Sequence, residues 1–302
     1  MMKKTSAYKE KSLCCKFQGK IVIGMGEILQ LLKDESIEDH TRIHEIRRSV
    51  KKIRAILRLL RDSMGYPVYI RENNFFRDVS RKLSKVRDSE VILKQTESII
   101  NHLPSKYKKI SSDRIIHELI RQRDELIGLI RDQDETLDVI QAEIQGHVEQ
   151  IRKIHLKNKS FTAISSGIKR IYRQARKYLK ATIHTGDPEM IHCLRKRVRY
   201  LWYHLSMLKK SAPKDLKPQI RKLHVISENL GVYRDCRLLL KTLEKNEFFQ
   251  IHEDASRIIH KNIIHLQEKV LLNAVTQSEK FFTDRPSKFE NNILKYFNLS
   301  HS

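Results

Sequence analysis

Glycine and proline are scarce in this sequence: nine Gly and six Pro serve 302 residues. A many-stranded sheet needs turn residues at short intervals, so this scarcity favours helices over strands. Long apolar runs are also missing. No stretch approaches the roughly 18 apolar residues that a spanning helix requires, and no membrane insertion is expected. Residues 1–20 begin with charge and lack the apolar core of a secretion signal, so a cytoplasmic location is expected. The four cysteines are Cys14, Cys15, Cys193 and Cys236. Adjacent cysteines rarely bridge each other and no CxxC pair is present, so reduced thiols without metal are expected. A P-loop, an HExxH motif and paired carboxylates at metal-binding spacing are absent too. Neither catalytic residues nor a cofactor are therefore assigned, and the chain is read as a binding protein rather than an enzyme.

What the sequence has is positive charge. There are 60 Lys and Arg against 36 Asp and Glu, a formal charge of +24. With 40% apolar and 32% charged residues, the composition suits a helical protein with a core and argues against wholesale disorder. Charge on this scale attracts nucleic acid, anionic membrane or free polyphosphates.

Apolar residues recur at helical spacing almost throughout. Helices are expected at roughly 18–33, 38–62, 67–84, 88–102, 112–156, 161–182, 188–209, 214–229, 234–246 and 250–280. Breaks are expected at Gly65–Pro67, Pro104, Asn158–Ser160, Gly186–Pro188 and Ala212–Pro213. The 112–156 segment lacks proline and is read as one long helix connecting two bundles, with kinks conceivable at Gly128 or Gly146. Pro286 ends the regular pattern, and 286–302 is read as a tail or a weak final helix.

An internal repeat organises the chain. IHEIRRSVKKIRAILRLL (43–60) aligns without a gap on IHCLRKRVRYLWYHLSML (191–208), at an offset of 148 residues. Ile43, Ile46, Val50, Ile53, Leu57 and Leu60 match Ile191, Leu194, Val198, Leu201, Leu205 and Leu208, an apolar stripe at core-facing spacing. A second pair follows at nearly the same offset. LSKVRDSEVIL (83–93) aligns with LGVYRDCRLLL (230–240), so Arg87–Asp88 corresponds to Arg234–Asp235. Two motifs in the same order point to a duplicated four-helix unit, with 15–110 in one repeat and 157–285 in the other.

The repeated helices carry the charge. Around a helix wheel, His44, Arg47, Lys51, Arg54 and Arg58 form one stripe that borders the apolar stripe. From Arg42 to Arg61 there are eight Lys or Arg, Arg48 among them, and one acid, Glu45. The second copy offers His192, Arg195 and Arg199, with Lys196 to one side. There, Trp202 and Ser206 replace Arg54 and Arg58. The preceding helix supplies Lys169, Arg173, Arg176 and Lys180 on another stripe, with Lys177 close by. Arginine presents a planar fork that pairs two phosphate oxygens, and lysine a point charge. A row of such groups one helical turn apart suits a linear polyanion, and Arg87 and Arg234 join the candidates. Plainer readings stand beside these. A charge run is often a solvated face, and His44 and His192 are equally candidates for structural hydrogen bonds. Asp88 and Asp235 suit helix caps or partners of a nearby base. Tyr172 and Trp202 suit packing.

At these residues the chain resembles the CHAD family, the conserved histidine α-helical domain. The H-x-x-R helices at His44–Arg58 and His192–Arg199 carry the resemblance, together with the L-x-x-x-R-D segments at Leu83–Asp88 and Leu230–Asp235. Tyr172–Arg176 is similar to the Y-R-x-G-R run that precedes the second histidine helix, with Ala175 in place of Gly. The resemblance covers roughly residues 15–280. It implies an all-α fold of two four-helix bundles related by a pseudo-twofold axis, with basic helices around a central cavity. It further implies binding of inorganic polyphosphate and association with polyphosphate granules. Nucleic acid remains the alternative polyanion. Against it, no base-reading motif appears and aromatics are 7% with no stacking pattern.

Overall fold

The computed structural model describes residues 2–101, 105–130, 136–209, 216–245 and 253–299, and every regular element among them is a helix. The helices are α1 (Met2–Lys33), α2 (Asp39–Leu59), α3 (Arg61–Met64), α4 (Tyr66–Lys82), α5 (Ser84–Asn101) and α6 (Ser105–Gly128). They continue with α7 (Thr136–Arg152), α8 (Phe161–Thr185), α9 (Pro188–Leu208), α10 (Leu216–Lys245), α11 (Glu253–Phe281) and α12 (Pro286–Leu299).

Local sequence explains the boundaries. Gly65 stands at φ 86° between α3 and α4, and Gly186 at φ 61° after α8, both in the region that favours glycine. The Gly186 N–H donates to the Thr182 carbonyl at 2.9 Å and closes α8. Asp187 then opens α9, its carboxylate accepting from the Glu189 N–H at 2.8 Å with Pro188 in the first turn.

The apolar stripes of the two aligned helices pack as their spacing predicts. All twelve residues from Ile43 to Leu60 and from Ile191 to Leu208 in those stripes are at most 1% exposed. Helix α2 packs on α1 and α4, α9 packs on α8 and α10, and α2 meets α9. His204 fixes that meeting. It is fully buried, and its Nε2 lies 2.9 Å from the Ala55 carbonyl of α2. Burial holds its pKa down at about 3, so the ring is neutral and donates this bond. Helix α8 also comes close to α2: a Cβ on Gly167 would lie 2.8 Å from the Leu59 carbonyl oxygen. One large core spans these elements. A second, smaller cluster of Leu93, Leu119, Cys236, Leu239, Leu243, Ile259 and Ile263 lies between α5, α6, α10 and α11.

Three expectations are refined. The segment expected as one helix at 112–156 is described as α6, ending at Gly128, and α7, starting at Thr136, with 131–135 outside the described residues; α6 packs on α5, and α7 packs on α1. The α7 residues Ile140, Ile144 and Ile151 are buried in the main core, so this segment is part of the fold and not a bare connector. The two helices expected at 214–229 and 234–246 are one continuous helix, α10. Of the two readings of the segment from Pro286, the structure has the helix, Pro286–Leu299, which buries Phe289 and Ile293 against α8. Proline suits its first helical turn. The expected breaks at Pro104 and at Ala212–Pro213 lie outside the described residues.

Candidate anion-binding cleft

Helices α2 and α9 meet with their basic stripes on a common side, and α5 and α10 approach the same place. The result is a cleft of about 180 Å³. Eight cations line it: Arg47, Lys51, Arg54 and Arg87 from the first half, and Arg195, Lys196, Arg199 and Arg234 from the second. The other lining residues are Ser80, Tyr200 and Tyr203. No carboxylate is among them.

So many like charges perturb one another. Burial, with the fields of Arg87, Arg47, Arg199 and Arg195, pushes the Lys51 ammonium down to about 7. Burial and neighbouring cations also hold Arg47 and Arg195 down at about 10. The buried Nε groups of Arg47, Arg195 and Arg199 have no acceptor among the described residues. A buried charged donor without a partner is costly. One guanidinium is fixed in place: an Arg47 Nη1 donates to the Ser80 carbonyl.

Behind the cleft, the two R-D motifs are crossed. Arg234 Nη2 donates to Asp88 Oδ1 at 2.9 Å, and Arg87 Nη2 reaches Asp235 Oδ1 at 3.4 Å. Each arginine also holds its own neighbour, Arg87 to Asp88 at 2.9 Å and Arg234 to Asp235 at 3.1 Å. Both aspartates therefore serve as partners of bases within helices and do not cap them. Each is held between two arginines, so the four residues form a closed ring joining α5 to α10.

The remaining candidate residues lie elsewhere. His44 stands close enough to Lys51 and Arg87 to feel their charge, and His192 to Lys196 and Arg195. Desolvation first, then these cations, holds both rings below the ordinary histidine value. Arg48 is exposed and pairs with Glu45 at 3.1 Å. Arg58 lies over the Tyr200 ring at 4.1 Å and lines a separate pocket. The α8 stripe does not reach the cleft. Lys169 pairs with Glu290 of α12 at 2.7 Å, Arg173, Lys177 and Lys180 are exposed, and Arg176 is half-buried. The α8 stripe runs beside Tyr172, which turns toward α12 and stacks on Phe289 at 4.0 Å. Tyr172 is a packing residue, and its hydroxyl donates to the Asp284 carbonyl at 3.2 Å.

Ser80, Tyr200 and Tyr203 line the cleft without standing among the sequence candidates. Tyr203 follows Arg199 by one helical turn, a spacing that marks it. Ser80 enters through its carbonyl, which no sequence pattern reveals.

The CHAD domain family profile matches residues 28–244, and the chain belongs to that family. Among solved structures, a crystal structure of the CHAD domain from the plant Ricinus communis is similar in fold. Its TM-score is 0.59 at 15% identity, covering 87% of this chain and 88% of that one. A comparison with curated proteins finds no match. No described helix is long and apolar enough to cross a membrane.

Proposed function

We propose that the cleft binds inorganic polyphosphate, held by cations from both halves of a duplicated fold, and that the protein does not turn it over. The single observation that carries this is the set of eight Lys and Arg around one cleft with no acid among them, three of them with unpartnered buried Nε donors. Phosphate oxygens satisfy a guanidinium fork, and a linear polymer presents them in series. The R-D ring and the matched contributions of α2 and α9 fit a pseudo-twofold arrangement of the repeats around this cleft. Membership of the family supports the same ligand.

Nucleic acid is disfavoured by the aromatic groups present. Tyr200 is covered by the Arg58 guanidinium, and Tyr203 is 7% exposed and packs on Trp202 at 4.8 Å. Neither offers an open face for stacking a base. Turnover is disfavoured because Asp88 and Asp235, the carboxylates behind the cleft, are each held by two arginines. They are thereby withdrawn from the work of a base or a metal ligand.

The test is a titration with long-chain polyphosphate in physiological salt, with duplex and single-stranded nucleic acid as competitors. Polyphosphate is expected to bind most tightly and to remain intact. Equal affinity for all three polymers overturns the assignment of ligand, and release of orthophosphate overturns the non-catalytic reading.

A further inference from the structure

A second basic pocket, of about 140 Å³, adjoins the first. It is lined by Arg58, Arg61, Arg170 and Arg197, with Tyr69 and Gln174 among its other walls and no carboxylate. The two pockets meet at one stack. Tyr200 lines the cleft, Arg58 lines the second pocket, and the Arg58 guanidinium sits 4.1 Å over the Tyr200 ring. Arg58 also donates from Nη1 to the carbonyl of Arg54, a cleft residue, at 2.9 Å.

The way these arginines are held leaves them able to bind. Arg170 is committed: it pairs with Asp62 at 2.6 Å and donates to the Arg58 carbonyl at 3.0 Å. The others rest on aromatic faces. Arg61 lies over Tyr66 at 4.6 Å and Tyr69 at 5.8 Å, and Arg197 lies over Tyr178 at 5.0 Å. Stacking engages the flat face of a guanidinium and leaves the N–H groups in its plane for an oxyanion. Arg197 uses Nε for Gln174 at 3.0 Å, and Arg61 Nε stands at 4.0 Å from Asp62, the outer limit of an ion pair. Three cations thus converge on a pocket whose nearest carboxylate is already engaged by Arg170 and by the Ser166 hydroxyl.

We infer that the two pockets are subsites of one track, and that a single linear condensed phosphate runs from the cleft past the Arg58–Tyr200 stack into the Arg61–Arg197 pocket. This rests on the polyphosphate reading of the cleft and adds a requirement for chain length. A short condensed phosphate occupies the cleft alone. A long one gains the contacts of Arg61 and Arg197.

The experiment compares tripolyphosphate with long-chain polyphosphate on the full chain and on the Arg61→Gln/Arg197→Gln double variant. Long-chain affinity is expected to fall about tenfold in the variant, the loss of one to two charge-assisted contacts. Tripolyphosphate affinity is expected to stay as in the unsubstituted chain, which also reports that the variant is folded. Unchanged long-chain affinity overturns the inference, as does an equal loss for both ligands. The underlying reading fails in a different way: the unsubstituted chain then binds neither phosphate.

Discussion

Arg234 of α10 reaches across to Asp88 of α5 at 2.9 Å, while Arg87 makes the reciprocal approach to Asp235 at 3.4 Å. The exchange ties one half of the chain to the other directly behind the cleft. It also places two negative charges beside a cluster of cations, where they stabilise the empty protein and oppose an anionic ligand. The Asp88→Asn/Asp235→Asn variant is therefore expected to move stability and affinity in opposite directions. Its melting temperature should fall, with about 1 kcal/mol lost per site because the ring is partly exposed. Its affinity for polyphosphate should rise several-fold. Thermal melts and titrations of the same sample check both, and a fall in affinity contradicts the assigned role.

Lys51 gives a pH dependence with a definite sign. In the unfolded chain it holds its proton up to the ordinary lysine value of 10.5, and in the folded chain only up to about 7. Below pH 7 it is charged in both states, and the folded state bears the full cost of a buried cation. Between pH 7 and 10.5 the folded state has shed that proton, so its stability rises with pH relative to a chain without the group. Lys51→Met is expected to raise the melting temperature, most strongly below pH 7, with the gain shrinking toward pH 10.5. A gain that grows with pH contradicts this.

The same group couples binding to protons. A bound polyanion favours the charged ammonium, so at pH 8 complex formation is expected to take up about one proton, mainly on Lys51. His44 and His192, held below the ordinary histidine value by desolvation and by cations that include Lys51, Arg87, Lys196 and Arg195, add further uptake at acidic pH. Calorimetric titrations in buffers of different ionisation enthalpy measure the number. Proton release at pH 8 contradicts the placement of Lys51 in the site.

How much of this was legible in the sequence depends on what each residue does. The twelve apolar residues of the aligned stripes are read correctly because burial on a helix leaves a periodic trace, and all twelve are core. The cleft cations on α2 and α9 are legible for the same reason, since they border those stripes. The α8 stripe lies outside the cleft. Lys169, Arg173, Arg176 and Lys180 have the same spacing as the α2 cations, but periodicity gives a face and not the neighbour it meets. Helix α12 packs on α8, and reading 286–302 as a tail or a weak final helix does not reveal Glu290 as the partner of Lys169. The different partners of α6 and α7 within 112–156 are not legible, because periodicity does not say which helix a face meets. The crossed R-D ring needs the relation between α5 and α10, which sequence reading does not supply.

Gly167 tests the close approach of α8 to α2. Alanine ordinarily gains about 1 kcal/mol over glycine in a helix. Here its Cβ would meet the Leu59 carbonyl oxygen at 2.8 Å, a backbone atom that has no easy way to move. Gly167→Ala is expected to destabilise by about 1–3 kcal/mol. Gly26→Ala, whose Cβ would meet nothing within 4 Å, is expected to be neutral or stabilising. Equal melting temperatures for the two variants contradict the predicted contact.

The most direct test of the cleft is the affinity of the Arg47→Ala/Lys51→Ala/Arg195→Ala/Arg199→Ala variant for long-chain polyphosphate in physiological salt. Unchanged helicity and a loss of at least about 100-fold relative to the unsubstituted chain are expected. Affinity equal to that of the unsubstituted chain, with helicity intact, would contradict this and place the ligand on another face.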